Sequence, residues 1–138
     1  MKLYFAGPLF TTPERTWNSE VVAALRAAGH EIFLPQEQEP GKDAAGIFAT
    51  DVGGIDWADG LVAIMDGADP DSGTCWEVGY AYGTKKTIVL VRTDFRHLAG
   101  RGLPERGEEQ LHRFWIGRMG LPLLLGIKGA RVLQPDIG

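Results

Sequence analysis

Cysteine is nearly absent from this 138-residue chain: Cys75 stands alone, which excludes an internal disulfide and suits a reducing compartment. Lys and Arg form no cluster and the net charge is -4, so a nucleic-acid polymer is not an expected partner. The three histidines, His30, His97 and His112, are far apart without metal-ligand spacing, and no metal site is expected. No apolar run approaches the roughly 18 residues of a membrane span. The opening residues run straight into a strand pattern rather than a leader. A soluble, cytoplasmic protein is the expectation.

Several motifs are missing as well. No glycine-rich loop ends in Gly-Lys-Ser/Thr, which removes ATP hydrolysis of the Walker type. The first strand is followed by Gly7-Pro8-Leu9-Phe10, with one glycine, so a dinucleotide fingerprint is lacking. There is no G-x-S-x-G elbow. No cofactor is implied.

What is present is ordinary globular composition, 44% hydrophobic and 23% charged, in a length that suits one domain over residues 1–138. Residues 2–6 read as a buried strand stopped by Gly7-Pro8. Thr12, Pro13 and Glu14 suit a helix start, with Thr12 as N-cap. Trp17, Val21, Val22, Leu25 and Ala28 give that helix one apolar face. A second strand follows at 31–34, then a polar loop at 36–42 and a helix over 43–58. Residues 61–65 and 87–91 are further apolar strands, the former suited to a parallel sheet covered on both faces. A helix over 108–119 and residues 121–127, read as a last short strand or else a docking tail, complete a β-α-β-α-β-α-β-α-β order. That order predicts an α/β fold, a flavodoxin-like, doubly wound, five-stranded parallel sheet with helices on both faces.

Chemistry concentrates between the third and fourth strands, in Asp71-Ser72-Gly73-Thr74-Cys75-Trp76-Glu77-Val78-Gly79-Tyr80-Ala81-Tyr82-Gly83. A loop opening into a helix there lies outside the carboxyl ends of the strands, where such folds hold their ligands. Asp71 and Glu77 are the raw material of acid–base or nucleophilic work, or else a helix cap and a solvated first-turn acid. Cys75, Val78, Gly79 and Tyr82 form the expected packing face, with Glu77 well away from it. Cys75 then reads as a small core hydrophobe. Asp51 falls between Phe48 and Val52 on the apolar side of its helix, either a satisfied core aspartate or a carboxylate aimed into a cleft.

Taken together, these residues resemble the nucleoside 2-deoxyribosyltransferase family. The resemblance rests on Leu3-Tyr4-Phe5-Ala6-Gly7-Pro8-Leu9-Phe10-Thr11, on Asp51 followed by Gly54-Ile55, on Asp59, and on the stretch from Asp71 to Ala81. It implies that Glu77 attacks the anomeric carbon of a 2′-deoxyribonucleoside to give a covalent deoxyribosyl-enzyme. It further implies that Asp71 exchanges a proton with the base, that Asp51 binds sugar or base, and that Tyr4 orients Glu77. Gly7, Phe10, Gln36, Gln38, Trp57, Ser72 and Gly73 are candidate substrate contacts. One departure stands out. Family transferases borrow an asparagine from a neighbouring subunit, in the segment after Thr93-Asp94-Phe95-Arg96, and here the sole asparagine is Asn18. Glu109, Gln110, His112 and Arg113 are the residues on offer in its place.

The resemblance implies nucleosides and free nucleobases as small-molecule partners and a homodimer or larger homo-oligomer. Leu111, Phe114, Trp115, Leu121, Leu123, Leu124 and Leu125 are candidates for its interface, or in part for the core. Two other functions compete: an N-glycosidase acting on nucleosides or their 5′-monophosphates, and a nucleotide-binding module without turnover. A monophosphate would need donors such as Thr11 and Thr12, or Ser72, Gly73 and Thr74, at a helix start.

Overall fold

The computed structural model describes residues 1–38 and 40–93, and the backbone of 131–133. Its elements run β1 (Lys2–Ala6), α1 (Thr12–Ala27), β2 (Glu31–Phe33), a short 3-10 turn (Pro35–Glu37), α2 (Ala44–Trp57), β3 (Gly60–Ile64), α3 (Ser72–Gly83), β4 (Thr87–Val91) and β5 (Arg131–Leu133). They build one sheet in the order β2-β1-β3-β4-β5. The first four strands are parallel.

β5 departs from the expected all-parallel sheet. Arg131 pairs with Leu90, and Leu133 with Ile88, in antiparallel register. A strand that starts beside the carboxyl end of its neighbour needs no return crossover, and antiparallel edges on parallel sheets are common. The helix expected at 108–119 and the strand expected at 121–127 lie outside the described residues.

Alternation along β1 divides the core into two layers. Leu3 and Phe5 pack with Val21, Val22 and Leu25 of α1 and with Val62, Ile64, Val89 and Val91. Tyr4 and Ala6 face the other way, against Ile55 and Ala58 from α2 and its end, Ala81 of α3, and Leu61, Ala63 and Ile88. Covering both faces is what makes the central strands continuously apolar. Tyr4 thereby points towards α2 and α3.

Local chemistry sets the helices, with three changes from the expected faces. Thr11, one residue before Thr12, caps α1: its side chain accepts from the Glu14 N–H while the Glu14 carboxylate accepts from the Thr11 N–H, a capping box. Asn18 takes the buried place expected for Trp17, which is 38% exposed, and Ala28 is exposed. In α2, Gly54 and Ile55 are buried while Phe48 is exposed. A Cβ on Gly54 would stand 2.7 Å from the Phe33 ring, so glycine is what lets α2 approach β2. In α3 the inward residues are Thr74 and Ala81, with Val78 half-buried; Cys75, Gly79 and Tyr82 are exposed. The face is turned because the polar Thr74 points inward, satisfied by Asp71.

Candidate active site

Strand order 2-1-3-4 makes the chain wind one way from β1 through α1 to β2, and the other way from β3 through α3 to β4. The loops that leave β1 and β3 therefore diverge and open a crevice at the carboxyl edge of the sheet. Gly7 lies where the first loop passes closest to β3: a Cβ there would meet Ile64 Cγ1 at 3.3 Å.

Three segments deliver the polar groups. Tyr4, fully buried in β1, donates its hydroxyl to Glu77 Oε1 at 2.6 Å. Its ring is stacked on Phe33, centroids 5.4 Å apart, which fixes where the hydroxyl sits. Glu77, which the expected packing left outside, is half-buried on the inner side of α3. Burial, helped by the charges of Asp51 and Asp71 and opposed by the Tyr4 hydrogen bond, pushes its carboxyl up to about 7. Burial, then Glu77, then Asp51 raise the Tyr4 hydroxyl, so it stays a protonated donor. Asp51, half-buried in α2, thus lies close to the same hydroxyl.

Asp71 caps α3. Its Oδ2 accepts from the Thr74 N–H at 2.8 Å and from the Thr74 hydroxyl at 2.9 Å. A clasp between the ends of β3 and β4 holds the loop that leads to it. Arg92 donates to the carbonyls of Met65 and Gly67, at 3.1 and 2.8 Å. The Thr93 N–H and hydroxyl both donate to the Asp66 carboxylate. Gly67 makes the turn with φ of +99°, where a side chain is strained.

The structure thus brings Tyr4, Asp51, Asp71 and Glu77 together, with the exposed Ser72 and Gly73 beside them at the start of α3. Phe10 is 76% exposed on the β1–α1 loop, its N–H bonded to Glu14. Gln36 does not join the group. Its amide is taken up by Asn18, Ser19 and the Arg15 carbonyl, and Asn18 in turn donates to the Pro8 carbonyl. Gln36 therefore braces the loop from behind. Gln38 is exposed after the 3-10 turn. Trp57 lies at the opposite, amino-terminal edge, 5.3 Å from the Lys2 ammonium, because α2 has by then crossed the whole sheet. It is too far along the helix to serve the crevice. Asp59, beside it, accepts from the Lys2 N–H.

Cys75 is exposed rather than packed; partial desolvation and the Asp71 charge push its thiol up and disfavour the thiolate. Among the described residues no group of three or more His, Cys, Asp or Glu is arranged to hold a metal. No helix of the described residues is long and apolar enough to cross a membrane. Thr74 and Arg92 carry the loop geometry; Arg92 was not singled out from the sequence, and Thr74 was named only as a donor to a phosphate, not as the anchor of Asp71. For Thr74 the signal was there: a hydroxyl three residues after a helix-capping aspartate.

The arrangement defines an α/β protein with a carboxylate cluster and a buried tyrosine at the switch point of its sheet. The chain belongs to the nucleoside 2-deoxyribosyltransferase family, whose model matches residues 3–130. Among solved structures it is similar to a 2-deoxyribosyltransferase from Bacillus psychrosaccharolyticus, with 28% identity and TM-score 0.64 over 71% of this chain and 77% of that one. It is similar also to a 2-desoxiribosyltransferase from Leishmania mexicana, with 25% identity and TM-score 0.61 over 68% of this chain and 65% of that one. A conserved protein from Enterococcus faecalis V583 matches at 28% identity and TM-score 0.64, over 93% of this chain and 86% of that one. No match was found among curated proteins.

Proposed function

We propose that the protein exchanges the base of 2′-deoxyribonucleosides through a covalent deoxyribosyl-Glu77 intermediate, with retention of configuration. The observation that carries this reading is the Tyr4–Glu77 hydrogen bond of 2.6 Å inside a desolvated carboxylate cluster. Tyr4 holds Oε1, which leaves Oε2 to form the bond to C1′ as the glycosidic electron pair departs with the base. A glycosidic bond breaks through an oxocarbenium-like state that an adjacent carboxylate stabilises and then traps. Asp71 supplies the proton to the leaving base and takes one back from the incoming base. Asp51 binds sugar or base. Phe10, Ser72, Gly73 and Gly7 border the crevice and complete the substrate contacts. The transferases from Bacillus psychrosaccharolyticus and Leishmania mexicana support the reaction class.

The chemistry asks for no cofactor or metal, and the chain acts as one cytoplasmic domain in a homodimer or larger homo-oligomer. Residues 111–125, which carry the apolar interface candidates, lie outside the described residues. Light scattering on the purified protein checks this, and a fully active monomer would overturn it.

An N-glycosidase differs only in letting water accept the sugar. For a 5′-monophosphate substrate, however, the helix starts are poorly suited. At α1 the Phe10 and Thr11 N–H groups already donate to the Glu14 carboxylate, and α3 is capped by Asp71. Carboxylates hold both places where a phosphate would be welcomed. A module that binds without turnover would keep its affinity on Glu77→Gln and cleave nothing in the parent protein.

Incubation with 2′-deoxyinosine, with and without adenine, tests the reading. Deoxyadenosine formed only with adenine is the expected outcome. Free hypoxanthine and deoxyribose without exchange would make the protein a hydrolase. Inert deoxyinosine, deoxycytidine and thymidine would sink the role of Glu77.

A further inference from the structure

Thr74 is 1% exposed, yet it carries a hydroxyl, and both of its donors converge on one oxygen of Asp71. The N–H and the hydroxyl reach Oδ2 at 2.8 and 2.9 Å. Position 73 lies close to the same oxygen: a Cβ added to Gly73 would stand 3.2 Å from it. Oδ1 takes no hydrogen bond from any described residue. The two oxygens of Asp71 are thus unequal by construction.

A carboxylic acid protonated on one oxygen keeps the other as an acceptor. Both Thr74 hydrogen bonds therefore survive when Asp71 carries its proton on Oδ1. The side chain can gain and lose that proton without letting go of its anchor. We infer that Thr74 is a positioning residue that reserves Oδ2 for anchorage and makes Oδ1 the atom that exchanges protons with the nucleobase.

The inference rests on the proposed deoxyribosyl transfer. In the first half-reaction Oδ1–H gives its proton to the departing base nitrogen as that nitrogen takes the glycosidic electron pair and a Glu77 oxygen bonds to C1′. In the second half the incoming base loses its N–H proton to Oδ1, bonds to C1′ and frees the glutamate. Atoms and charge balance without any further reactant.

A base that leaves without needing a proton separates this role from general structural damage. 7-Methyl-2′-deoxyguanosine has a cationic base that departs neutral, so Asp71 has nothing to deliver. Thr74→Val keeps the shape and removes the hydroxyl. Its kcat on 2′-deoxyinosine should fall about 10- to 100-fold, in the range of a misplaced general acid. On 7-methyl-2′-deoxyguanosine it should stay within about threefold. Thr74→Ser should restore the deoxyinosine rate, and Asp71→Asn should show the same substrate dependence as Thr74→Val. Gly73→Ala, which puts a methyl 3.2 Å from Oδ2, gives a second route to the same pattern if the valine variant fails to fold. An equal loss on both substrates in these variants, no loss on either, or failure of serine to rescue would overturn the role of Thr74 alone. If the parent protein cleaves neither substrate, the transferase reading falls, and this inference with it.

Discussion

Glu77 carries the largest single consequence at the scale of the residue. Its carboxyl is pushed up to about 7 and, as the proposed nucleophile, must be ionised to attack, so kcat should rise with pH through that value. Tyr4→Phe removes the one hydrogen bond that holds the value down while leaving the ring on Phe33. A pH–rate profile of that variant should show the acid limb displaced to higher pH, with kcat lower by about 10- to 100-fold. An unmoved limb would mean that the hydroxyl does not govern Glu77. Glu77→Gln should lower kcat by at least about 1,000-fold, since it removes the proposed nucleophile itself. Mass spectrometry of the parent protein, quenched during turnover, should find the deoxyribosyl adduct, and the variant should lack it.

The elements set how close these residues stand, and here the glycine at position 54 matters. Gly54→Ala drives a methyl into the Phe33 ring, which is itself stacked on Tyr4. The expected cost is about 1–3 kcal/mol in urea denaturation, with a loss of activity beyond what unfolding explains. Denaturation midpoints equal to the parent's would show that α2 has room to move. At α1, Glu14→Ala removes the capping box and should cost about 1 kcal/mol.

Element by element, much of this was legible in the sequence. Apolar runs and turn residues placed β1, β3 and β4, and the stretch from Asp71 to Glu77 was read as the loop opening into α3 that the structure has. The inward face of α3 was not legible, because it is built by Thr74 and Glu77, two polar residues that a count of apolar positions assigns to solvent. The antiparallel sense of β5 was equally hidden, since strand direction depends on the connection rather than on the strand's own residues. Trp57 illustrates a third kind of miss: an aromatic near Asp51 in sequence is carried to the other edge of the sheet by the length of one helix.

Stability as a whole should register the cluster. A group whose carboxyl is raised in the folded state favours folding while protonated in both states, and that advantage is lost as pH rises through the folded value. The parent should therefore lose on the order of 2 kcal/mol relative to Glu77→Gln between pH 4.5 and 8. Thermal melts of the pair across that range give the difference directly. Parallel curves would remove Glu77 as the titrating group.

The hydrogen bond between Tyr4 and Glu77 spans 73 residues of chain. Tyr4 lies far ahead in the chain of β3, which flanks it, and of α3, which receives its hydroxyl. The contact between Tyr4 and Glu77 cannot form until β1 has docked beside β3. Recovery of turnover during refolding should accordingly be a clock for the docking of one short interior strand, and it should lag behind any signal from helix content.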